Sequence, residues 1–150
     1  MNTINFQLVT PEKTVLSKEL VSLSCPTEMG QITILPNHIP LVANLAPGEL
    51  HAKTETDEFY LYVAGGFVEV RPNNEVVILA DDAAHFNEID IKQAEEAKAR
   101  AEEGMKEQIM SEEEYAKVAA SLQQALAKIN VARKHAHRKS PITGQGTLNQ

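Results

Sequence analysis

Two aspartates and a histidine, Asp81, Asp82 and His85, lie within five residues of one another, and such side chains can bind a metal ion or transfer a proton. They directly follow an apolar run, so we expect them at the solvated end of a strand. Two further histidines, His135 and His137, are two positions apart. On a helix this spacing directs them to different faces, so they cannot chelate one ion. The sequence therefore predicts no metal site.

Signals for catalysis are equally sparse. Serine, histidine and aspartate are all present, but no nucleophile-elbow motif joins them. The pair Gly65-Gly66 could suggest phosphate binding, yet no G-x-G-x-x-G or Walker pattern accompanies it. We expect these glycines to allow a bulge or a close approach between strands instead. The sequence thus predicts no catalytic residue, and a small enzyme is the least favoured hypothesis.

Composition narrows the function classes further. The chain of 150 residues has a formal net charge of -7, which disfavours non-specific binding to nucleic acid. Its single cysteine, Cys25, cannot form an intrachain disulfide, which fits a reducing compartment. No apolar run reaches 18 residues, and the first ten residues show no signal-peptide pattern. We therefore expect no direct membrane insertion, so any membrane association would come through a partner protein.

The first part of the chain, to about residue 86, alternates apolar and polar side chains as strands do. The alternation is clearest in residues 4–8, 59–63 and 67–70. Proline and glycine break these runs at short intervals, and Asn73-Asn74 predicts a tight hairpin because asparagine tolerates a positive φ. Many short strands at this spacing indicate an antiparallel β-sandwich or barrel.

From about residue 88 the sequence becomes rich in Ala, Glu, Lys and Gln, which indicates helices. Asp90 is the expected N-cap of a first helix that stops near Gly104, and Ser111 is the expected N-cap of a second of about 25 residues. The second has an apolar seam of Tyr115, Val118, Leu122, Ala125 and Ile129. Together they predict an antiparallel helical hairpin. Residues 140–150 lack a periodic apolar pattern, and we expect a disordered tail there.

The segment GQITILPNHIPLV at 30–42, continued by Pro47-Gly48, resembles the motif GELGILPGHAPLV of the bacterial epsilon subunit of F-type ATP synthases, and further motifs of that family follow in the same order. The segments VAGGFVEV at 63–70 and VVILAD at 76–81 are similar to YVSGGFLEV and VTVLAD. The resemblance covers about residues 3–135. It implies a β-sandwich of about ten strands over 1–87 and a helical regulatory hairpin over 88–139.

The resemblance also implies a function and partners. The chain would be a non-catalytic central-stalk subunit that links the gamma subunit to the c-ring and couples ion translocation to ATP synthesis. It would lie peripherally at the cytoplasmic face of the bacterial plasma membrane. Contact with gamma falls on the stiff corner Pro36, Asn37, His38, Ile39, Pro40 and Leu41. Contact with the c-ring falls on Gly30 and Gln31, where the family often has Glu at the second position. A structural turn is the plainer interpretation of both segments.

A nucleotide site is implied more weakly. Ile89-Asp90-Ile91-Lys92-Gln93-Ala94 is similar to the family's ATP-sensing pattern I-D-x-x-R-A, and Arg100 matches a downstream Arg. The first Arg is replaced by Gln93, and we align Gln124 and Lys128 with arginines of ATP-binding relatives. A triphosphate favours forked guanidinium donors. We therefore expect weak or absent ATP binding and no cofactor.

The basic end of the second helix is the last candidate site. The resemblance implies that it extends into the alpha/beta catalytic head through Lys128, Arg133, Lys134 and Arg138. A solvated helix end is the plainer interpretation. Because Ala-rich helices bury little area, we expect the hairpin to pack marginally and to switch between a folded-back and an extended, inhibitory state. The alternative function is a generic β-sandwich interaction module with a helical dimerisation hairpin.

Overall fold

The computed structural model describes residues 2–106 and 110–138. Ten strands come first, followed by a single 3-10 turn at Phe86–Glu88 and two helices. The strands are β1 Ile4–Val9, β2 Thr14–Leu20, β3 Ser22–Thr27, β4 Gly30–Ile34, β5 Leu41–Asn44, β6 Gly48–Lys53, β7 Glu58–Ala64, β8 Phe67–Arg71, β9 Glu75–Leu79 and β10 Asp82–His85. The helices are α1 Ile91–Met105 and α2 Glu112–Lys134.

The strands form two five-stranded sheets, which confirms the predicted sandwich. The first sheet has the order β2-β1-β9-β8-β5, and the second has the order β10-β7-β6-β3-β4. Their pairs are antiparallel except that β1 runs parallel to β9. A parallel pair needs a long connection, and here the connection includes most of the sandwich.

The core of the sandwich follows from the alternation in the strands. In β1 the side chains of Ile4, Phe6 and Leu8 are buried while Asn5 and Gln7 are exposed. The inward-facing residues of both sheets form one apolar cluster. The helices contribute nothing to it. The sandwich therefore has a core of its own, as the change of periodicity near residue 86 predicts.

Three tight turns show the backbone geometry expected from the sequence. Asn73 and Asn74 have φ of 67° and 61° in the β8–β9 hairpin, and Asn37 has φ of 67°. Gly66 has φ of 85°, and a Cβ placed there would lie 1.7 Å from the carbonyl oxygen of Leu79. The glycine pair thus allows its own backbone to approach the backbone at Leu79 closely, as predicted.

Both helix starts are capped at the predicted residues. The side chain of Asp90 accepts a hydrogen bond of 3.0 Å from the Gln93 amide, and that of Ser111 accepts one of 3.1 Å from the Glu114 amide. The first helix stops near Gly104 as predicted, since Met105 is its last residue. A Cβ at Gly104 would lie 3.3 Å from Val118 of α2. This glycine therefore serves the packing of the two helices.

No helix within residues 2–106 and 110–138 is both long and apolar enough to cross a membrane. The predicted disordered tail, residues 140–150, lies outside the described residues.

Candidate interaction surfaces

The corner that carries His38 joins β4 to β5 and projects apolar side chains into solvent. Ile39 is 76% exposed, and Leu35 is also largely exposed. Asn37 donates its amide to Asn74 Oδ1 at 2.6 Å, so the corner is fastened to the β8–β9 turn. The ring of His38 is half-buried, with Nδ1 2.7 Å from the Ile39 carbonyl oxygen. The corner is thus a fixed, apolar projection.

An apolar patch on the outer face of the first sheet continues from this corner. Phe67 pairs with Leu79 across β8 and β9 and with Asn44 of β5, which places Val42 diagonally next to Phe67. Val42, Phe67 and Leu79 all expose large parts of their side chains. Sequence analysis missed this patch. The signal for it was a large apolar residue at outward-facing positions of three adjacent strands.

The predicted c-ring residues lie at the other end of β4. Gly30 has φ of 112° in the β3–β4 turn, and Gln31 is exposed beside it. Thr27 Oγ1 donates to the Gly30 carbonyl oxygen at 2.5 Å and accepts from the Met29 amide at 3.2 Å, which fixes the turn. Met29 is 95% exposed at its tip. The turn and the His38 corner are therefore two separate surfaces.

The helical hairpin packs on the outer face of the second sheet. Ala127 and Val131 of α2 contact Tyr62, Ala64 and Phe86, with Tyr60 and Ile89 at the margin. This cluster is separate from the core of the sandwich. The alternation of Phe59, Leu61 and Val63 with two tyrosines was the sequence signal for it, because tyrosines on the outward face of a strand need a cover.

The four basic residues proposed for the catalytic head all have partners within this chain. Lys128 Nζ lies 3.1 Å from Asp82 Oδ2, and Lys134 Nζ lies 3.0 Å from Glu49 Oε2. Arg133 pairs with Glu95 of α1, and the guanidinium of Arg138 lies 4.8 Å above the centre of the Tyr60 ring. Each cation thus faces an acid or an aromatic ring, but Lys128, Arg133 and Lys134 remain 36%, 61% and 66% exposed, so the plainer interpretation of a solvated basic end still stands beside the proposed one.

His135 is the functional candidate that sequence analysis missed. It is the C-cap residue of α2, which ends at Lys134, and it is 1% exposed. His135 and His137 therefore both follow the helix, and the prediction that they lie on it is wrong. The Nε2 of His135 is hydrogen-bonded to Glu49 Oε1, and its ring stacks on Tyr60 with centroids 3.9 Å apart. Partial burial tends to raise the pKa of the Glu49 carboxyl, but hydrogen bonds and charges from His135 and Lys134 outweigh this and lower it.

The residues aligned with the nucleotide-sensing pattern line one cleft between the helices and β10. Its lining includes Asp90, Gln93, Arg100, Gln124 and Lys128, around a volume of about 410 Å³. Three carboxylates also line it, those of Asp82, Glu88 and Asp90. Lys128 is already paired with one of them. With three acidic and two basic side chains in its lining, the cleft offers a polyanion no net positive charge.

The acid and histidine cluster after β9 holds no metal-binding arrangement. Asp82 pairs with Lys128, while the carboxyl group of Asp81 lies against Gly65. His85 is buried, and burial lowers its pKa; its Nε2 lies 3.4 Å from the Val15 carbonyl oxygen. Over residues 2–106 and 110–138, no three His, Cys, Asp or Glu side chains are grouped closely enough to hold a metal ion.

Comparison with family models finds matches along nearly the whole described chain. Residues 3–86 match the model of the ATP synthase delta/epsilon chain beta-sandwich domain, and residues 87–133 match the model of its long alpha-helix domain.

Individual relatives agree with these models. An ATP synthase epsilon chain of Dehalococcoides mccartyi is 43% identical over 141 residues, which is 94% of this chain and 99% of the relative. That of Herpetosiphon aurantiacus is 39% identical over 136 residues, covering 91% and 98%.

Solved structures share the fold at lower identity. A chain in the Euglena gracilis mitochondrial ATP synthase has a TM-score of 0.75 and 21% identity, with coverage of 92% of this chain and 83% of that one. A chain in the central stalk and c-ring structure of the Tetrahymena thermophila enzyme has a TM-score of 0.65 and 16% identity, with coverage of 88% and 99%.

Proposed function

This chain belongs to the epsilon chain family of ATP synthases, and we propose that it is the central-stalk subunit that joins gamma to the c-ring. The match of both domains to that family, at 38–43% identity to its members, carries the proposal. In this role the chain is a coupling and regulatory subunit rather than the catalytic one. Membership in the family also rules out the alternative of an interaction module unrelated to the synthase.

The sandwich provides two surfaces suited to a rotor subunit. The fixed corner Pro36–Leu41 and the patch of Val42, Phe67 and Leu79 both expose apolar side chains, and Val42 directly follows the corner in the chain, so we assign both to gamma. An apolar surface next to a rigid corner is typical of a permanent interface.

The β3–β4 turn, with Gly30 and Gln31, is the surface we assign to the c-ring. Gln31 carries no charge, so its contact would depend on hydrogen bonds and would respond little to salt. These contacts would hold the chain at the cytoplasmic face of the bacterial membrane, where rotation driven by ions passes to the catalytic head.

The hairpin supports a second part of the role, inhibition of ATP hydrolysis. In the docked state Lys128, Lys134 and Arg138 face the sandwich, and Arg133 faces α1. If the hairpin extends along gamma, the cations that face the sandwich lose those partners and become available to acidic segments of the catalytic head. The same side chains thus serve either state, but not both at once.

Binding to purified gamma tests the assignment of the corner. Ile39→Asp places a charge in the proposed interface and should abolish co-elution of the two proteins in gel filtration. Met29→Asp is the matched control, because Met29 is equally apolar and even more exposed but lies at the other end of β4. Retention of gamma binding by Ile39→Asp, or its loss in Met29→Asp alone, would overturn the assignment.

Deleting residues 88–150 tests the inhibitory role. The sandwich keeps its own core in this variant, so assembly should proceed. ATP hydrolysis by the reconstituted complex should then rise. An unchanged rate of hydrolysis would remove the inhibitory role and leave the coupling role intact.

A further inference from the structure

We propose that the carboxylate of Glu49 is the latch that holds the helical hairpin against the sandwich. This inference rests on the proposed mobility of the hairpin. It assigns the equilibrium between the docked and the released state to one acid on β6 and two consecutive residues at the end of α2.

The geometry places one carboxylate between two donors. Glu49 is the second residue of β6, and its side chain is 24% exposed. Oε2 accepts from Lys134 Nζ at 3.0 Å, and Oε1 is bonded to Nε2 of the buried His135. Both donors lie where α2 ends, so removal of the one acceptor releases two contacts together. Hydrogen bonds with an ionised partner are stronger than neutral ones.

The rest of the interface is weak. The α2 side chains at its centre are Ala127 and Val131, which bury little apolar area. Among the described residues, two buried side-chain polar atoms have neither a hydrogen-bond partner nor an ion-pair partner: Tyr62 Oη and His135 Nδ1. Both belong to this interface, since His135 stacks on Tyr60 and Tyr62 lies under α2. Undocking would return these atoms to water, which favours release.

The other ion pairs do less to fasten the hairpin. Arg133 and Glu95 join α2 to α1, so this pair moves with the hairpin. Lys128 and Asp82 do join α2 to the sandwich, but their side chains are 36% and 50% exposed, and such pairs are screened by solvent. Lys134 is itself 66% exposed, so the contact that decides whether α2 stays docked is the one between Glu49 and His135, whose side chains are 24% and 1% exposed.

Tyrosine fluorescence of the isolated full-length chain offers a direct readout. The chain has no Trp and three Tyr, of which Tyr60 and Tyr62 lie under the hairpin while Tyr115 is exposed on α2 itself. In a Tyr115→Phe background, quenching by acrylamide reports the exposure of the two covered rings. Hydrogen exchange of residues 125–134 reports the docking of α2 independently.

Glu49→Gln and Glu49→Ala should each increase quenching and speed exchange of residues 125–134 about tenfold or more, because a hydrogen bond to a charged group contributes at least about that factor. Exchange of the β1 and β9 core amides should stay unchanged. Glu95→Gln is the matched control, since it breaks an ion pair of the hairpin that does not touch the sandwich, and it should behave as the parent chain.

Two outcomes would overturn the latch. One is quenching and exchange in both Glu49 variants that equal those of the parent. The other is a parallel loss of protection in the β1 and β9 core, which would make Glu49 a residue of general stability. Neither outcome involves gamma, so the latch can fail while the proposed rotor function stands, and gamma binding can fail while the latch stands.

Discussion

Lys128 Nζ lies 3.1 Å from Asp82 Oδ2 and 5.3 Å from the centre of the Tyr62 ring, so the middle of α2 is tied to β10 and to β7. A half-exposed ion pair of this kind contributes at most about 1 kcal/mol. We predict that Asp82→Asn increases quenching of Tyr60 and Tyr62 only slightly, and less than Glu49→Gln does. A larger effect of Asp82→Asn would contradict the ranking of the two contacts.

The lowered pKa of Glu49 predicts how docking depends on pH. The carboxyl is ionised in the docked state to a lower pH than its ordinary value of 4.5, so its contribution is complete above that value and is lost as pH falls through the lowered one. The groups that face it are Lys134, the last residue of α2, and His135, its C-cap. Tyr60 stacks on the His135 ring, and His51 and Arg138 in turn contact the Tyr60 ring.

Tyrosine quenching in the Tyr115→Phe chain should therefore stay flat as the pH falls from 7 to about 4.5 and rise only below that value. The Glu49→Gln variant should show no such rise. Release that is complete by pH 6 in the parent would show that another group controls docking.

The backbone conformation of Gly66 predicts that a substitution there strongly destabilises the sandwich. Its φ is 85°, and a Cβ would meet the Leu79 carbonyl oxygen at 1.7 Å, so Gly66→Ala should destabilise the fold by about 2 kcal/mol or more. Gly30→Ala is the control, since its φ is 112° but no atom lies within 4 Å of the added Cβ. Urea unfolding should show a clearly smaller loss for Gly30→Ala, and equal losses would contradict the role of close approach.

The burial of Cys25, the only cysteine of the chain, predicts that its thiol reacts slowly in the folded protein. It is fully buried, and burial raises its pKa to about 12. A thiol needs its thiolate form to react, so the native chain should remain unmodified by a disulfide reagent at pH 8 and react after denaturation. Rapid modification of the native chain would show that the sandwich opens easily.

The cleft around Asp90 and Arg100 predicts poor nucleotide binding. Its carboxylates offset the charge of Arg100, and Lys128 is already paired. Isothermal titration at millimolar ATP should show weak binding or none, and a micromolar dissociation constant would contradict this expectation.

The parts of the fold set by local chemistry could be predicted from the sequence. The alternation in β1, the positive φ at Asn73 and the N-cap at Asp90 each depend on neighbouring residues, and each is confirmed. The packing role of Gly104 could not be predicted, because the residue that it packs against, Val118, lies on another helix.

The candidate site depended still more on distant contacts. Glu49 and His135 are 86 residues apart, and no local pattern marks them as partners. The outward-facing Tyr60 and Tyr62 were the available signal that something covers the second sheet. Only the folded chain shows which element covers this sheet and which acid holds that element in place.

A crosslink from the His38 corner tests the rotor assignment most directly. In assembled complex, a thiol-reactive photo-crosslinker attached at His38→Cys should give a covalent product with gamma, while the same reagent at Met29→Cys, at the other end of β4, should link to the c-ring instead. The buried Cys25 need not be removed for this measurement. A gamma product from position 29 with none from position 38 would contradict the assigned orientation.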